Sequence, residues 1–210
     1  MSKKSSMPLK TRKIVVSFDI SSSTGILEDL LRTENEKVWY RLLRWLANYL
    51  SENEKHYEYK IYKFTGDGWI LMFNLDCSGE DIIDFLVMMS VDFNKRMKSL
   101  SDRYLETPPK VSGLTFGIAV GTLLRFQMRN KTEFIGRAIN MACRLQSACN
   151  PHVDGSQYLL LATRDCFNRI KEDYPTIEYD YPVQNATRKL KNIAGNRPLQ
   201  CKRIELLDDE

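Results

Sequence analysis

Residues 63–69 read Lys63-Phe64-Thr65-Gly66-Asp67-Gly68-Trp69 and join two strand-like runs, 57–64 and 69–73. Gly-Asp-Gly is favourable turn chemistry, because glycine tolerates positive φ and aspartate hydrogen-bonds to its own backbone. The stretch therefore predicts a β-hairpin with a carboxylate, Asp67, at its turn. A second carboxylate, Asp19, stands at the end of another short run, 13–20, which is rich in β-branched residues and predicts a buried strand.

The order of the predicted elements indicates an α+β fold. We expect a ferredoxin-like βαββαβ antiparallel sheet with helices on one face and C-terminal α/β additions. The elements that follow the first strand are a long helix from Gly25 through Leu50, the hairpin, a helix from its N-cap Ser78 to about Leu100, a strand over 113–126, a helix over 136–149, strands at 158–162 and 178–181, and a hairpin over 189–205 that turns near Gly195-Asn196. In this plan the first strand ends near the hairpin turn, so Asp19 and Asp67 converge.

Length and composition favour one soluble globular domain. The chain has 210 residues, 43% of them hydrophobic and 28% charged, and we expect a single domain over 12–206 between a flexible N-terminus (1–11) and an acidic tail (207–210). The net charge of +4 is mild and does not demand a nucleic-acid partner. We expect no membrane segment and no secretory signal. Five scattered cysteines without a CxxC pair suit a reducing cytoplasm.

Two converging carboxylates would suit a divalent cation. Mg²⁺ takes one or two carboxylates and completes its shell with phosphates and water. The alternative is structural, with Asp67 serving the turn and Asp19 capping. The run Ser21-Ser22-Ser23-Thr24 precedes a predicted helix, whose N-terminal amides would favour a triphosphate, although serine runs are also common caps.

Two further pairs of polar side chains are candidates to contact a nucleotide. Asn140 and Arg144 lie four residues apart on a predicted helix and share a face, which suits a phosphate or ribose contact. A surface arginine beside a solvated asparagine is the alternative. Lys63 and Glu133 could flank a base edge, one donating and one accepting, or could be half-buried charges at strand edges.

Five segments in order resemble the catalytic domain of class III nucleotidyl cyclases, the family of adenylate and guanylate cyclases. Phe18 to Thr24 resembles the family's first metal-binding motif. The others are Lys63 to Asp67 (K-x-x-G-D), Gly117 to Gly121 (G-I-x-x-G), Gly136 to Arg144 (G-x-x-V-N-x-A-x-R) and Leu190 to Asn192 (L-K-G). The match runs from about residue 13 to 205, so the resemblance implies that 12–206 is one catalytic domain.

The resemblance implies a role for each motif. Asp19, the Ile20 carbonyl and Asp67 would hold two Mg²⁺ or Mn²⁺ ions. Asn140 and Arg144 would stabilise the transition state, Lys191 would reach the terminal phosphates, and Lys63 and Glu133 would read the base. The family's site lies between two subunits, which implies a homodimer with two shared sites.

Departures from the family pattern bear on the substrate. Adenylate cyclases usually have Asp or Thr at the position of Glu133, and guanylate cyclases usually have Glu at that of Lys63. The aromatic-rich stretch 59–69 is most similar to the pyrimidine cyclases of the bacterial Pycsar anti-phage defence system. That similarity implies conversion of UTP, or less favoured CTP, into a 3′,5′-cyclic nucleotide and pyrophosphate, a second messenger read by a separate receptor protein.

Further pocket candidates follow from this interpretation. They are Tyr59, Tyr62 and Arg125. Tyr59 is preferred to Tyr62, because alternate strand residues place Tyr59 on the face of Lys63. Two alternatives remain: an adenylate cyclase that uses ATP, and a module that binds nucleotide and dimerises without turnover.

Overall fold

The structure is a computed structural model that describes residues 8–151, 157–193, 195 and 197–207. The predictions for most of the flexible N-terminus, for residues 208–210 of the acidic tail and for Asn196 in the last turn lie outside the described residues. None of the helices in the described ranges is long and apolar enough to cross a membrane.

Eight strands form one sheet in this part of the chain. They are β1 (Leu9–Ile20), β2 (Tyr59–Phe64), β3 (Gly68–Phe73), β4 (Leu114–Met128), β5 (Lys131–Ile135), β6 (Leu159–Thr163), β7 (Val183–Lys189) and β8 (Pro198–Glu205). Their spatial order is β2-β3-β1-β4-β6-β8-β7, and β5 forms a hairpin with β4. The first four strands pair antiparallel, which confirms the ferredoxin-like order, whereas β4 and β6 pair parallel.

Six helices accompany the sheet within the described ranges. They are α1 (Ser23–Arg32), α2 (Glu36–Asn53), α3 (Gly79–Tyr104), α4 (Arg137–Gln146), α5 (Arg164–Asp173) and α6 (Ile177–Asp180). The predicted N-cap of α3 is confirmed, since the Ser78 side chain accepts a hydrogen bond from the Glu80 amide.

The long helix predicted after Gly25 is two helices. Glu34 adopts a left-handed φ of 58°, and the Asn35 amide donates to the Leu30 carbonyl at 2.7 Å. These contacts end α1 before α2 begins, so the chain turns between the two helices. The apolar period runs through both helices and therefore did not reveal the break.

Other boundaries also differ from the prediction. β1 begins at Leu9, inside the segment expected to be flexible. The strand predicted over 178–181 is wrong, because this stretch belongs to the short helix α6, which buries Ile177 in the core. A run of four residues is too short for its periodicity to separate helix from strand. The final hairpin begins earlier than the predicted 189–205, because its first strand β7 is Val183–Lys189. The sequence pattern does not predict β5 or α5.

The sheet is packed on both faces. On β1 the fully buried side chains Ile14, Val16 and Phe18 pack against α1, α2 and α3, and Val15 lies in a second core on the other face. The second core contains the α4 side chains Ala138, Met141, Ala142 and Leu145. Helices therefore cover both faces, rather than the single face that was predicted. By strand alternation Asp19 points to the face that carries α4.

Gly117 on β4 explains how closely α4 packs. A Cβ at this position would overlap the Ala142 carbonyl of α4. Gly117 therefore marks a close approach of another backbone to the sheet.

Candidate active site

The two candidate metal ligands meet at one edge of the sheet. The antiparallel register pairs Asp19 of β1 with Gly68 of β3, the residue after Asp67. Gly68 permits this approach, because a Cβ there would overlap the Phe18 carbonyl oxygen. The β2–β3 turn is closed by a 2.9 Å hydrogen bond from the Thr65 amide to the Gly68 carbonyl. Turn chemistry and register together bring the two carboxylates to one place.

A cleft of about 470 Å³ opens at this edge. We call it the carboxylate cleft. It is bordered by Asp19, Ile20, the run 21–24, Asp67, Thr115 and Gln146. The Gln146 side chain at the end of α4 donates to the Thr115 hydroxyl at 3.0 Å, which joins α4 to the sheet beside the cleft. All three predicted metal-binding positions therefore border one cleft.

The electrostatics of the cleft disfavour two bare negative charges. Burial raises the pKa of the Asp19 carboxyl, and the neighbouring Asp67 carboxyl raises it further through a hydrogen bond and charge repulsion. A hydrogen bond from the Ile20 amide lowers the pKa of Asp19. A cation between the two carboxylates would reverse this balance, because an opposite charge favours the ionised form.

The donor set fits a hard divalent cation. Asp19 and Asp67 offer carboxylate oxygens, and their mutual repulsion marks a place where positive charge is stabilised. No group of three or more His, Cys, Asp or Glu side chains forms a metal site in the described ranges. A metal held here would therefore need the backbone and substrate oxygens to complete its coordination.

The serine run ties α1 to the hairpin turn and also forms the N-terminus of α1, where an anion could bind. Ser23 donates its hydroxyl hydrogen bond to the Asp67 carboxylate, which ties α1 to the hairpin turn. Ser22 adopts a left-handed φ of 59° at the N-cap of α1 and makes no side-chain capping bond. The first turn of α1 contains no acidic residue. An anion at this N-terminus would meet the positive end of the helix dipole.

The second predicted group lies elsewhere on the chain. Asn140 and Arg144 are exposed on α4, one helical turn apart. Asn140 borders a cleft of about 490 Å³ together with Thr122, Gly136, Asn192 and Ile193. Lys191 is exposed and immediately precedes two of these residues. The β7–β8 connection thus brings the Lys191 segment beside Asn140.

The two groups do not share a cleft within one chain. Thr115 borders the carboxylate cleft and Thr122 borders the Asn140 cleft. Both lie on β4, seven residues apart by their numbers, which corresponds to roughly 23 Å of strand. One chain therefore presents the carboxylates and Asn140 in separate clefts.

The predicted base-reading pair lies near β5. Lys63 is exposed on β2, and Glu133 is half-buried on β5. Glu133 is held by Tyr62, whose hydroxyl donates to its carboxylate at 3.0 Å. The same hydroxyl lies 3.1 Å from the Phe134 carbonyl and accepts from the Phe134 amide at 3.3 Å. Burial raises the pKa of Tyr62 and the Glu133 carboxylate adds to this, so the phenol keeps its proton as a donor.

Tyr62, not Tyr59, is the tyrosine on this face. Tyr59 is only 2% exposed, and its hydroxyl donates to the Leu50 carbonyl at 2.6 Å in the helix-covered core. Tyr59 does not share the face of Lys63, because the β2–β3 register shifts between Ile61 and Lys63. A bulge adds one residue to the strand and reverses the parity beyond it. Tyr59 is therefore corrected from a pocket residue to a core residue.

Arg125 lies in a third cleft. It is exposed near the end of β4, where it pairs with Leu9 of β1 and Phe134 of β5. This cleft is bordered by Tyr62 but by neither Lys63 nor Glu133. Arg125 and the predicted base-reading pair therefore do not border this cleft together.

Comparison with solved structures places this architecture among the nucleotide cyclases. The guanylyl cyclase Cya2 superposes with a TM-score of 0.70 at 14% identity, over 94% of this chain and 93% of that one. The adenylyl cyclase CyaB from P. aeruginosa superposes with a TM-score of 0.62 at 21% identity, over 96% and 97% of the two chains. The chain has the cyclase fold. A class III adenylyl cyclase-like ATP-binding protein from Pseudomonas aeruginosa has the same architecture, with a TM-score of 0.60 at 16% identity over 78% of this chain and 36% of that one.

Comparison by sequence finds no such similarity. No protein-family model matches the chain, and no curated protein matches it. The cyclase fold is therefore recognised from the structure and from the short motifs.

Proposed function

We propose that this protein is a nucleotidyl cyclase that converts a nucleoside triphosphate into a 3′,5′-cyclic nucleotide and pyrophosphate. The observation that carries the proposal is the carboxylate pair, Asp19 and Asp67, at the end of β1 and at the β2–β3 turn of a cyclase fold. The cleft also contains the N-terminus of α1, which offers amides to phosphate oxygens.

The reaction needs little covalent chemistry from the protein. The 3′-oxygen of the ribose attacks the α-phosphorus, the bond to the bridging oxygen breaks, and pyrophosphate leaves. Two bound Mg²⁺ or Mn²⁺ ions would polarise the 3′-hydroxyl and neutralise the leaving phosphates. Asp19, Asp67 and the Ile20 carbonyl would hold these ions. Asn140 and Arg144 orient the ribose and stabilise charge on the α-phosphate. Lys191 neutralises the terminal phosphates.

A second copy of the chain completes the site in this proposal. Within one chain the carboxylate cleft and the Asn140 cleft are separate, although the reaction needs both sets of groups around one α-phosphate. A twofold-symmetric homodimer allows one protomer to supply the carboxylates and its partner to supply Asn140 and Arg144. Such a dimer has two equivalent sites.

The finer proposal concerns the base. We take UTP as the substrate, ahead of CTP, on the resemblance of residues 59–69 to the pyrimidine cyclases, and the product as a second messenger in anti-phage defence. Lys63 would donate to O4 of uracil while Glu133 accepts from N3–H. Tyr62 supports this arrangement, because its hydrogen bond fixes the carboxylate of Glu133. The same pair could read cytosine, and Lys63 also fits adenine, so ATP remains the alternative substrate.

The test is incubation of the purified protein with each of the four nucleoside triphosphates and Mn²⁺, with products identified by mass spectrometry. The proposal predicts one cyclic nucleotide and an equal amount of pyrophosphate, with UTP the best substrate. Cyclic AMP as the main product would overturn the base assignment alone. Binding without any cyclic product would favour the non-catalytic nucleotide-binding module.

A further inference from the structure

A third cleft lies at the opposite end of β1 from the carboxylates. We call it the lysine cleft, after the cationic side chains Lys10, Lys13, Lys60 and Arg125 that border it. Its volume is about 530 Å³, within the range of small-molecule sites of about 300–1,000 Å³. On β1, Lys13 is the residue of this cleft nearest to Asp19; the two are six residues apart by their numbers, which is roughly 20 Å of strand.

The lysine cleft has two walls from different parts of the fold. The sheet supplies Lys13 from β1, Lys60 from β2 and Met72 from β3. The β4–β5 hairpin supplies Arg125 and Phe134 opposite them. Tyr62 closes the gap, since it rises from β2 and its hydroxyl hydrogen-bonds the backbone of β5. The cleft is therefore a built cavity, with the hairpin held over the sheet.

The charged side chains that border this cleft are all cationic, while the carboxylates of Glu133 and Glu54 hydrogen-bond to the bordering Tyr62 hydroxyl and Ile61 amide. Four of its bordering side chains are cationic and none is acidic. Within the described ranges, none of the four forms an ion pair with a carboxylate. Lys13 is held by a neutral group, the side-chain oxygen of Asn74. Such a concentration of like charge raises the local concentration of anions.

The shape of the cleft strengthens that attraction. Met72 is 3% exposed, and the rings of Tyr62 and Phe134 meet edge to face with centroids 5.6 Å apart. These apolar walls exclude water from one side of the cationic groups, which lowers the local dielectric and strengthens a charge-assisted hydrogen bond. Arg125 adds a planar fork of donors that matches phosphate oxygens.

We propose that the lysine cleft binds a small multivalent anion of the phosphate type, at a site distinct from the proposed catalytic cleft. A phosphate group at the centre of the cleft would meet ammonium groups from the sheet and the guanidinium group from the hairpin. Occupancy would therefore bridge the sheet and the β4–β5 hairpin. The proposal does not depend on cyclase activity, because it needs neither Asp19 nor Asp67.

Isothermal titration with inorganic tripolyphosphate tests this site, on protein that has been stripped of divalent ions with EDTA and then dialysed free of EDTA, which is itself a multivalent anion. Without divalent ions the carboxylate cleft repels the probe and does not compete. We expect saturable binding of one probe per chain for the wild type and for Asp19→Asn. The double variant Lys60→Gln/Arg125→Gln should weaken binding by about tenfold or more, which is at least about 1.4 kcal/mol.

A charge-matched control separates a site from general attraction. Lys37→Gln/Lys98→Gln removes the same charge from exposed positions on α2 and α3 and should leave the dissociation constant within about twofold. Lys10→Gln, at the exposed start of β1, gives an independent cleft variant that should also weaken binding. Absence of saturable binding, or equal weakening in the control, would overturn the proposal.

Discussion

At the scale of single residues, Asp67 is the most informative position. Its carboxylate lies at an exposed edge of the fold rather than in the core, and it accepts a hydrogen bond from Ser23. Asp67→Asn removes the charge while keeping the size and one acceptor oxygen. We expect turnover to fall by more than tenfold, beyond about 1.4 kcal/mol of barrier, with the folded structure unchanged. Product formation and thermal unfolding measure the two effects.

The control for this substitution is Asp76→Asn. Asp76 is an exposed carboxylate in the turn after β3 and borders none of the three clefts. We expect it to leave turnover unchanged. If Asp67→Asn keeps more than about a tenth of the activity, or unfolds the protein, the assignment of Asp67 as a metal ligand is wrong.

Tyr62 is a positioning residue for Glu133. Tyr62→Phe keeps the ring that packs on Phe134 but removes the hydroxyl that holds the Glu133 carboxylate at 3.0 Å. We expect KM for the preferred triphosphate to rise by about tenfold or more, since a hydrogen bond to a charged group contributes about 1.5–3 kcal/mol. We also expect kcat to change little and discrimination between bases to narrow. Steady-state kinetics with each triphosphate measure all three.

The matched control is Tyr40→Phe, at a tyrosine that is 62% exposed on α2. It should leave the kinetics as they are. A Tyr62→Phe variant with unchanged KM and unchanged base preference would show that the hydroxyl serves only the fold.

At the scale of elements, Gly68 decides how β3 joins β1. Gly68→Ala places a Cβ against the Phe18 carbonyl, so either the register or the turn must move. We expect it to destabilise the fold by about 1–3 kcal/mol or more, as overpacking does. Gly25→Ala is the contrast, because a Cβ there meets nothing within 4 Å on helix α1. It should stabilise the fold by up to about 1 kcal/mol. Denaturant unfolding of the two variants decides whether Gly68 is needed for packing.

Asp29 joins α1 to the segment after α3 and makes that joint pH-dependent. Burial alone would raise its pKa, but hydrogen bonds from the Thr107 amide, the Arg32 guanidinium and the Glu106 amide outweigh burial and hold the pKa below its ordinary value of 3.8. A lowered folded-state pKa contributes stability that is present above the unfolded pKa and is lost as the pH falls through the folded pKa. Asp29→Asn lacks this contribution.

The difference in free energy of unfolding between wild type and Asp29→Asn should therefore be constant from neutral pH down to about pH 4. This difference, which we call the stability gap, should shrink below that pH. Urea unfolding over this range measures the gap. Asp102→Asn, at an exposed position near the end of α3, should show no such narrowing. A gap that stays constant into strong acid would contradict the lowered pKa.

The elements also show why sequence patterns predicted one part of the site and missed another. Asp19 and Asp67 were paired correctly because both follow from strand ends and turn chemistry, which are local. Strand alternation ranks Tyr62 below Tyr59, because the bulge at residues 61–63 has no glycine to mark it and strand parity reverses there. The hydrogen bond from Tyr62 to Glu133 joins residues 71 positions apart, and no local pattern reports a contact of that kind.

In the molecule as a whole, helices cover both faces of the sheet, and this determines where the two parts of the candidate site lie. The α4 face carries Asp19 by strand alternation and also carries α4, so the carboxylates, Asn140 and Arg144 all belong to one side of the sheet. The predicted single helical layer could not show this, because α4 has the same amphipathic period as the helices of the other face. A twofold partner placed against this side would meet both halves at once.

In the proposed dimer one chain contributes the carboxylates and its partner contributes Asn140 and Arg144. Mixing two inactive variants, Asp19→Ala and Arg144→Ala, tests this arrangement. Random exchange makes half the dimers mixed, and each mixed dimer has one intact site, so activity should return to about a quarter of the wild-type value. Exchange is first shown by co-purification of differently tagged variants. Recovery towards that level is the predicted result, and a mixture that has exchanged but forms no cyclic nucleotide would contradict the account.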